Sequence, residues 1–219
     1  CNGTFLRFVH EGFLGHEEAA ARSYLDTRGI DRPSAPTLSP EFSNPLFLKT
    51  LCDALDRAKL KAIPKGLNGV TKIFEFYTES LESAVASKLG LDPIRKSVRQ
   101  FLKKLVEIMV SGDSFFVESP AALEMMDSIV PSHGMEDKSM LSALISEGAL
   151  SEDITYTRDA DTDGKDIIRF TFERYFDHER ARNLLDRHMD PAQPIDAFSE
   201  GGALALRIAD RRYGQEGLI

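Results

Sequence analysis

Cysteine is scarce in this chain. Cys1 and Cys52 are the only two, and neither falls in a C-x-x-C or Cys/His ligand spacing, which excludes a thiolate metal knuckle and a disulfide framework. Cys52 fits a small apolar core position in a protein of a reducing cytoplasm. Apolar runs are short, none near the roughly 18 residues a bilayer-crossing helix needs, so no membrane partner is expected. Positive charge is the minority sign: 27 Lys and Arg stand against 35 Asp and Glu, for a formal net charge of −8. That balance weighs against a surface built mainly for nucleic acid or anionic lipid.

Catalytic signatures are missing as well. There is no G-x-x-x-x-G-K-[ST] and no G-x-S-x-G. His16-Glu17 lacks the second histidine of a zinc protease helix, because Ala20 stands in its place. Gly66, Gly69 and Lys72 have the residue types of a phosphate loop without its spacing, and His10, His133, His178 and His188 are scattered. No catalytic residue and no metal ligand is therefore assigned to the chain by itself. It begins at Cys1 rather than Met, while Phe5, Phe8 and Val9 read as a strand already inside a fold, so a fragment boundary is expected there.

What is present is the composition of a globular protein, 42% hydrophobic and 28% charged over 219 residues, enough for one large or two small domains. A strand over 4–9 precedes a turn through Gly12-Phe13-Leu14-Gly15. A helix is expected from His16 to about Arg28, with Ala19, Ala20, Tyr24 and Leu25 inward and Gly29 as its stop. Pro33, Pro36 and Pro40 break the chain. Asn44-Pro45 then opens a helix, Asn as cap and Pro at the first helical position, with Leu48, Leu51, Cys52, Leu55 and Ala58 as its stripe. The longest helix runs over 70–89, burying Val70, Ile73, Phe74, Tyr77, Leu81, Ala84 and Val85, and Gly90 and Pro93 end it.

The second half changes character. A helix over 94–110 places Ile94, Val98, Phe101, Leu102, Leu105, Ile108 and Met109 on one face. Phe115-Phe116-Val117 is a short extended piece, and Ser119-Pro120 starts a helix burying Leu123, Met126 and Ile129. A third helix, 137–147, turns Met140, Leu141, Leu144 and Ile145 inward and is capped by Gly148. Strands follow at 150–156 and 167–172, then helices at 175–188 and 199–213. Helix, short strand, helix, helix, strand, wing, strand is the winged-helix order, so the expected fold class is mainly α: a helical lid bundle followed by a winged helix with a small β-hairpin.

A winged helix commonly reads DNA with its third helix and wing. Here that helix offers only Lys138 against Glu136, Asp137 and Glu147. The wing sets Asp159, Asp161, Asp163 and Asp166 against Arg158 and Lys165. Phosphate repels such a surface, and the side chains that usually read bases are absent, so specific DNA binding is not expected. Asp159-Ala160-Asp161-Thr162-Asp163-Gly164 imitates the start of a calcium loop, but Asp166 holds its apolar eighth position and Phe170 replaces the bidentate glutamate. A solvated hairpin explains it better.

Two stretches carry more than helix chemistry. One is Gly12-Phe13, a helix, a proline-rich gap, and Pro40-Glu41-Phe42-Ser43-Asn44-Pro45-Leu46-Phe47-Leu48-Lys49-Thr50-Leu51-Cys52. The other is Leu144 to Leu150 followed by Ile168-Arg169-Phe170-Thr171-Phe172-Glu173-Arg174-Tyr175-Phe176-Asp177-His178. Together they resemble the helical lid and winged helix that follow the P-loop core in STAND ATPases, particularly the NACHT-like ones of bacterial antiviral defence.

The resemblance implies four segments: the tail of a P-loop core (1–15), a helical lid (16–92), a winged helix (93–174), and helices (175–219) leading to a C-terminal sensor region. It implies a parent ATPase binding ATP or ADP with Mg, the upstream P-loop core as partner, and a homo-oligomer on activation. It also implies that Pro45, with Asn44 beside it, lies near the adenine. The family's phosphate-sensing histidine would fall near Glu173 and Arg174, with His178 one turn later, which leaves Arg174 as the phosphate contact. Beside these stand plainer readings: a capping pair at Asn44-Pro45, a surface charge cluster at Glu173, Arg174 and Asp177, and a stand-alone winged-helix module binding DNA or protein.

Overall fold

The computed structural model describes residues 12–32, 40–65, 67, 69–131, 139–156 and 164–209. Outside them lie the expected strand at 4–9, most of the proline-rich gap, 159–163 of the calcium-loop imitation, the start of the helix expected at 137–147 and the end of that expected at 199–213, which begins only at Ala203. The chain divides into two compact units, Cys1–Ser80 and Leu81–Ile219, so the division falls inside the longest helix.

The first unit contains α1 (Glu17–Thr27), α2 (Pro45–Arg57) and the first half of α3 (Val70–Leu89). Asn44 caps α2 with its side-chain oxygen, accepting from the backbone N–H groups of Leu46 at 2.9 Å and Phe47 at 3.3 Å. Two of the first-turn donors are thereby satisfied, and Pro45 supplies a fixed φ at the first helical position. The buried stripe of α2 is Phe47, Leu48, Leu51, Cys52, Ala54 and Leu55. Phe42, Phe47 and Phe74 form an edge-to-face chain with ring centroids 5.5 and 6.1 Å apart. Each such ring contributes about 1.5–3 kcal/mol by leaving water. Arg28, just past α1, bridges Asp53 and Asp56 of α2 at 2.8 and 2.6 Å. Those hydrogen bonds, Asp56 first, raise its pKa and hold it charged.

The second unit follows the winged-helix order. α4 (Ser97–Ser111), β1 (Val117–Glu118), α5 (Ser119–Asp127), α6 (Met140–Ser146), β2 (Leu150–Thr155) and β3 (Lys165–Phe170) precede α7 (Glu173–His188) and α8 (Ala203–Ala209). The sheet is antiparallel in the order β1-β3-β2. Ile168 pairs with Val117 on one side and Glu152 on the other, at the centre of the sheet. Strand alternation puts Ile168, Phe170 and Phe172 inside as expected. Gly148, at φ +72°, lets the chain leave α6 and enter β2 directly.

β2 is the outer strand. Thr171 donates to the Ala149 carbonyl, in register with the Leu150–Phe170 pair. The odd-numbered residues of β2 therefore face β3, and the N–H groups of Leu150, Glu152 and Ile154 face the open edge. One of the three, on Ile154, is taken by the Asp153 carboxylate at 2.9 Å. At the hairpin's far end Tyr156 lies over Gly164, where an added Cβ would sit 2.9 Å from the tyrosine ring.

Four expected core positions are corrected: Ala19 is exposed with Ala21 buried in its place, Ala58 is exposed just past the end of α2, and Ile94 and Ile108 face water. Ile94 is 86% exposed, because Pro93–Arg95 forms a separate 3-10 turn closed by Lys96 at φ +48°, and α4 begins only at Ser97. Ile108 is largely exposed, and Val106 and Val110 are buried instead. Val70, Ala84, Leu123, Ile129 and Ile145 are half-buried at the edges of their stripes. β3 starts two residues earlier than read, and α7 begins at Glu173.

One capping interaction spans elements. α4 has no side-chain cap of its own, since Lys96 supplies none. Glu82 of α3, buried, accepts from the N–H groups of Val98 at 3.3 Å and Arg99 at 2.9 Å. At the other end of this stretch Lys88 meets Glu147 at 2.5 Å and Ser146 at 3.3 Å, a cation at the C-terminus of α6.

Candidate functional site

Asn44 and Pro45 lie in the first unit and Arg174 in the second. Around Asn44-Pro45 the geometry is specific. Phe13 donates its backbone N–H to the Ser43 carbonyl at 2.7 Å, which lays the 12–15 turn against the start of α2. Gly12 sits there at φ +67°, and a Cβ would run into the Ser43 carbonyl oxygen and lie 3.4 Å from the Pro45 ring. Only glycine meets both conditions. Phe13 in turn meets Tyr24 of α1 edge to face at 6.0 Å. The next turn is held by Glu17, whose carboxylate accepts from the Gly15 N–H at 2.9 Å. Its own backbone N–H first, and then that of Gly15, draw its pKa down.

Chemically, this corner offers a half-buried Pro45 ring beside an aromatic pair. The Asn44 oxygen is committed to the helix cap, so recognition by Asn44 would have to use its amide nitrogen. Arg174 is exposed in the first turn of α7, next to exposed Glu173, while His178 is half-buried one turn on. A guanidinium there suits phosphate oxygens in charge and geometry. Among the described residues no group of three or more His, Cys, Asp or Glu is placed to hold a metal, and no helix is long and apolar enough to cross a membrane.

Sequence reasoning missed the buried polar side of α7. Asp177, Arg180 and Asn183 are all buried there. Arg180 reaches the Asp113 carboxylate at 3.2 Å and lies 5.7 Å from the centre of the Phe115 ring. Asp113 adopts φ +47° to close the turn after α4. Asp177 therefore belongs to a buried surface, which corrects its reading as part of an exposed cluster. The signal available was Arg180 at helical spacing from Phe176, Asn183 and Leu184. Glu82 left a clearer trace, a carboxylate at a core position between Leu81 and Val85.

No family model matches the chain, and no curated protein or solved structure matches it.

Proposed function

We propose that this chain is the regulatory lid and winged helix of a STAND-type signalling ATPase, gating nucleotide exchange and oligomerisation in bacterial defence. The observation that carries the reading is the Asn44-Pro45-Leu46-Phe47-Leu48 start of α2 with the Gly12–Phe13 turn bonded onto it. The helix and strand order of the second unit supports it further. In this reading an upstream P-loop core in the cytoplasm binds ATP or ADP with Mg, Pro45 contributes an apolar contact to the base, and Arg174 answers phosphate charge. The chain itself performs no hydrolysis. In this reading the lid and winged helix hold the ADP form closed and swing away on exchange to expose an oligomerising surface, a rigid-body switch biased by ligand.

The test has two parts. The natural open reading frame should carry a G-x-x-x-x-G-K-[ST] loop upstream of residue 1, and the intact protein should retain ADP. Replacing Pro45 with Ala should speed ADP release roughly tenfold, the loss of about 1.4 kcal/mol of contact. Turnover of ATP by the pure 219-residue chain, or a reading frame without the loop, overturns the proposal. A winged helix standing alone would then be the remaining reading, and salt-sensitive DNA binding its assay.

A further inference from the structure

The chain is acidic overall, yet between Asp56 and Glu75 it has five basic residues and no acidic one. Elsewhere among the described residues of the first unit, positive charge is spoken for. Arg22, Arg28, Arg32, Lys49 and Lys72 each hold an ion pair, and Arg57 bonds Ser80 and lies over the Tyr77 ring. The remaining three cations are Lys59, Lys61 and Lys65, all exposed and all in the loop between α2 and α3. None of the three makes an ion pair or a hydrogen bond with its side chain among the described residues.

Lys59 also stands where glycine is the favoured residue. Helices α1, α2, α4 and α6 close with the same two backbone hydrogen bonds. These run from Gly29 to Asp26 and Ile30 to Leu25, from Lys59 to Asp56 and Leu60 to Leu55, from Asp113 to Val110 and Ser114 to Met109, and from Gly148 to Ile145 and Ala149 to Leu144. The first donor of each pair has a positive φ, +61°, +55°, +47° and +72° in turn, a conformation that crowds a Cβ. Two of the four are glycine. Asp113 uses its side chain to hold the buried Arg180. Lys59 carries a side chain at the same strained position with no use for it inside the described structure.

The loop is pinned beside the end of α1. Asp31 donates its N–H to the Lys61 carbonyl and forms a parallel bridge with Ala62. The exposed Asp31 carboxylate offsets one lysine, while Asp53 and Asp56 are already taken by Arg28. Leu60, 37% exposed, stands between Lys59 and Lys61, and half-buried Ile63 and Pro64 precede Lys65. We propose that this loop docks an acidic, apolar-bearing segment of a partner protein, its carboxylates on Lys59, Lys61 and Lys65 and an apolar side chain on Leu60. The inference needs no nucleotide and stands apart from the ATPase reading. Nucleic acid fits less well, because residues 57–65 hold no aromatic ring for a base to stack on, and their one arginine is engaged with Ser80 and Tyr77. Anionic lipid fits less well too, since three lysines fall short of the roughly 4–8 that a lipid-binding cluster brings together.

Fluorescence anisotropy with the 219-residue chain tests this. The probe is a labelled peptide alternating Glu-Leu and Glu-Gly pairs; a DNA duplex and vesicles of equal parts phosphatidylcholine and phosphatidylserine are run beside it. The parent should bind the peptide saturably below about 1 mM, and more weakly as salt rises to about 0.5 M and screening shortens. Lys59→Glu with Lys61→Glu and Lys65→Glu should weaken the peptide at least about tenfold with an unchanged circular dichroism spectrum. Lys59→Gly should weaken it about twofold while raising the thermal midpoint by about 2–4 °C, since the strain at positive φ is relieved. Three results overturn the proposal: no saturable binding of the peptide by the parent, binding indifferent to the lysine substitutions, or lysine-dependent binding of the duplex or the vesicles that is tighter than that of the peptide.

Discussion

Replacing Glu82 with alanine tests how α4 is started. The helix opens from Lys96, which contributes no side-chain cap, so the N–H groups of Val98 and Arg99 depend on the Glu82 carboxylate at 3.3 and 2.9 Å. Loss of a capping acceptor costs about 0.5–2 kcal/mol. A negative charge at a helix N-terminus contributes about 0.3–1 kcal/mol at the surface, and up to ~2 where partly buried. Donors left unsatisfied in a buried site cost about 1–3 kcal/mol. These overlap, since all describe the same two N–H groups, and together they place Glu82→Ala at roughly 2–3 kcal/mol. Glu82→Gln keeps one acceptor oxygen and loses the charge, so it should fall near half that cost. Amide hydrogen exchange resolved at Val98 and Arg99 is the assay of choice, because it reports local opening even where the two compact units unfold separately. Protection at both amides should drop by about 30- to 150-fold in the alanine variant, the factor corresponding to 2–3 kcal/mol. A change below about 0.5 kcal/mol, or a glutamine variant as damaged as the alanine, would refute the reasoning.

Gly12→Ala should cost about 3 kcal/mol or more, from positive φ plus overlap with the Ser43 carbonyl. Gly15→Ala, at φ +77° with open space around its Cβ, should cost only about 1 kcal/mol; equal denaturation midpoints for the two variants would contradict the docked turn. Cys52 is fully buried, and burial pushes its thiol pKa up from 9.0 to about 11. The fold therefore favours the protonated thiol. Its contribution is complete below pH 9.0 and is lost as pH climbs through about 11. Stability of the parent should fall faster than that of Cys52→Ala across this window, and iodoacetamide at about pH 8 should leave Cys52 unmodified in the folded chain; rapid labelling there would contradict the burial.

Elements that declare themselves through local chemistry were legible in the sequence. Asn44-Pro45 marks a helix start because cap and φ restriction act within three residues, and the structure has α2 begin there. Alternation at Ile168, Phe170 and Phe172 marks a strand and its turn into α7 for the same reason. Ile94 was misread because its spacing matches the α4 stripe, while the left-handed turn at Lys96 that removes it from the helix leaves no hydrophobic signature. Lysine is a poor guide to positive φ. Glu82 and Arg180 illustrate the other limit. Their partners lie 16 and 67 residues away, and a pattern read along the chain cannot show which donor a buried charge will meet. The candidate contacts at Asn44, Pro45 and Arg174 rest on resemblance, and the capping role of Asn44 is the part that local chemistry already explains.

The outermost strand of the wing carries a consequence for the chain's life in concentrated solution. β2 could be lengthened sideways by any extended segment that found its open N–H and carbonyl groups. The Asp153 carboxylate covers the amide of Ile154, the residue whose apolar side chain would otherwise make that stretch the most attractive one to pair with. A recruited strand would have to displace that carboxylate and lie alongside Glu152 as well. One of the three outward amides is thus already satisfied within the strand itself, which weakens the rim's pull on a passing extended segment at the point where an apolar side chain would most invite it.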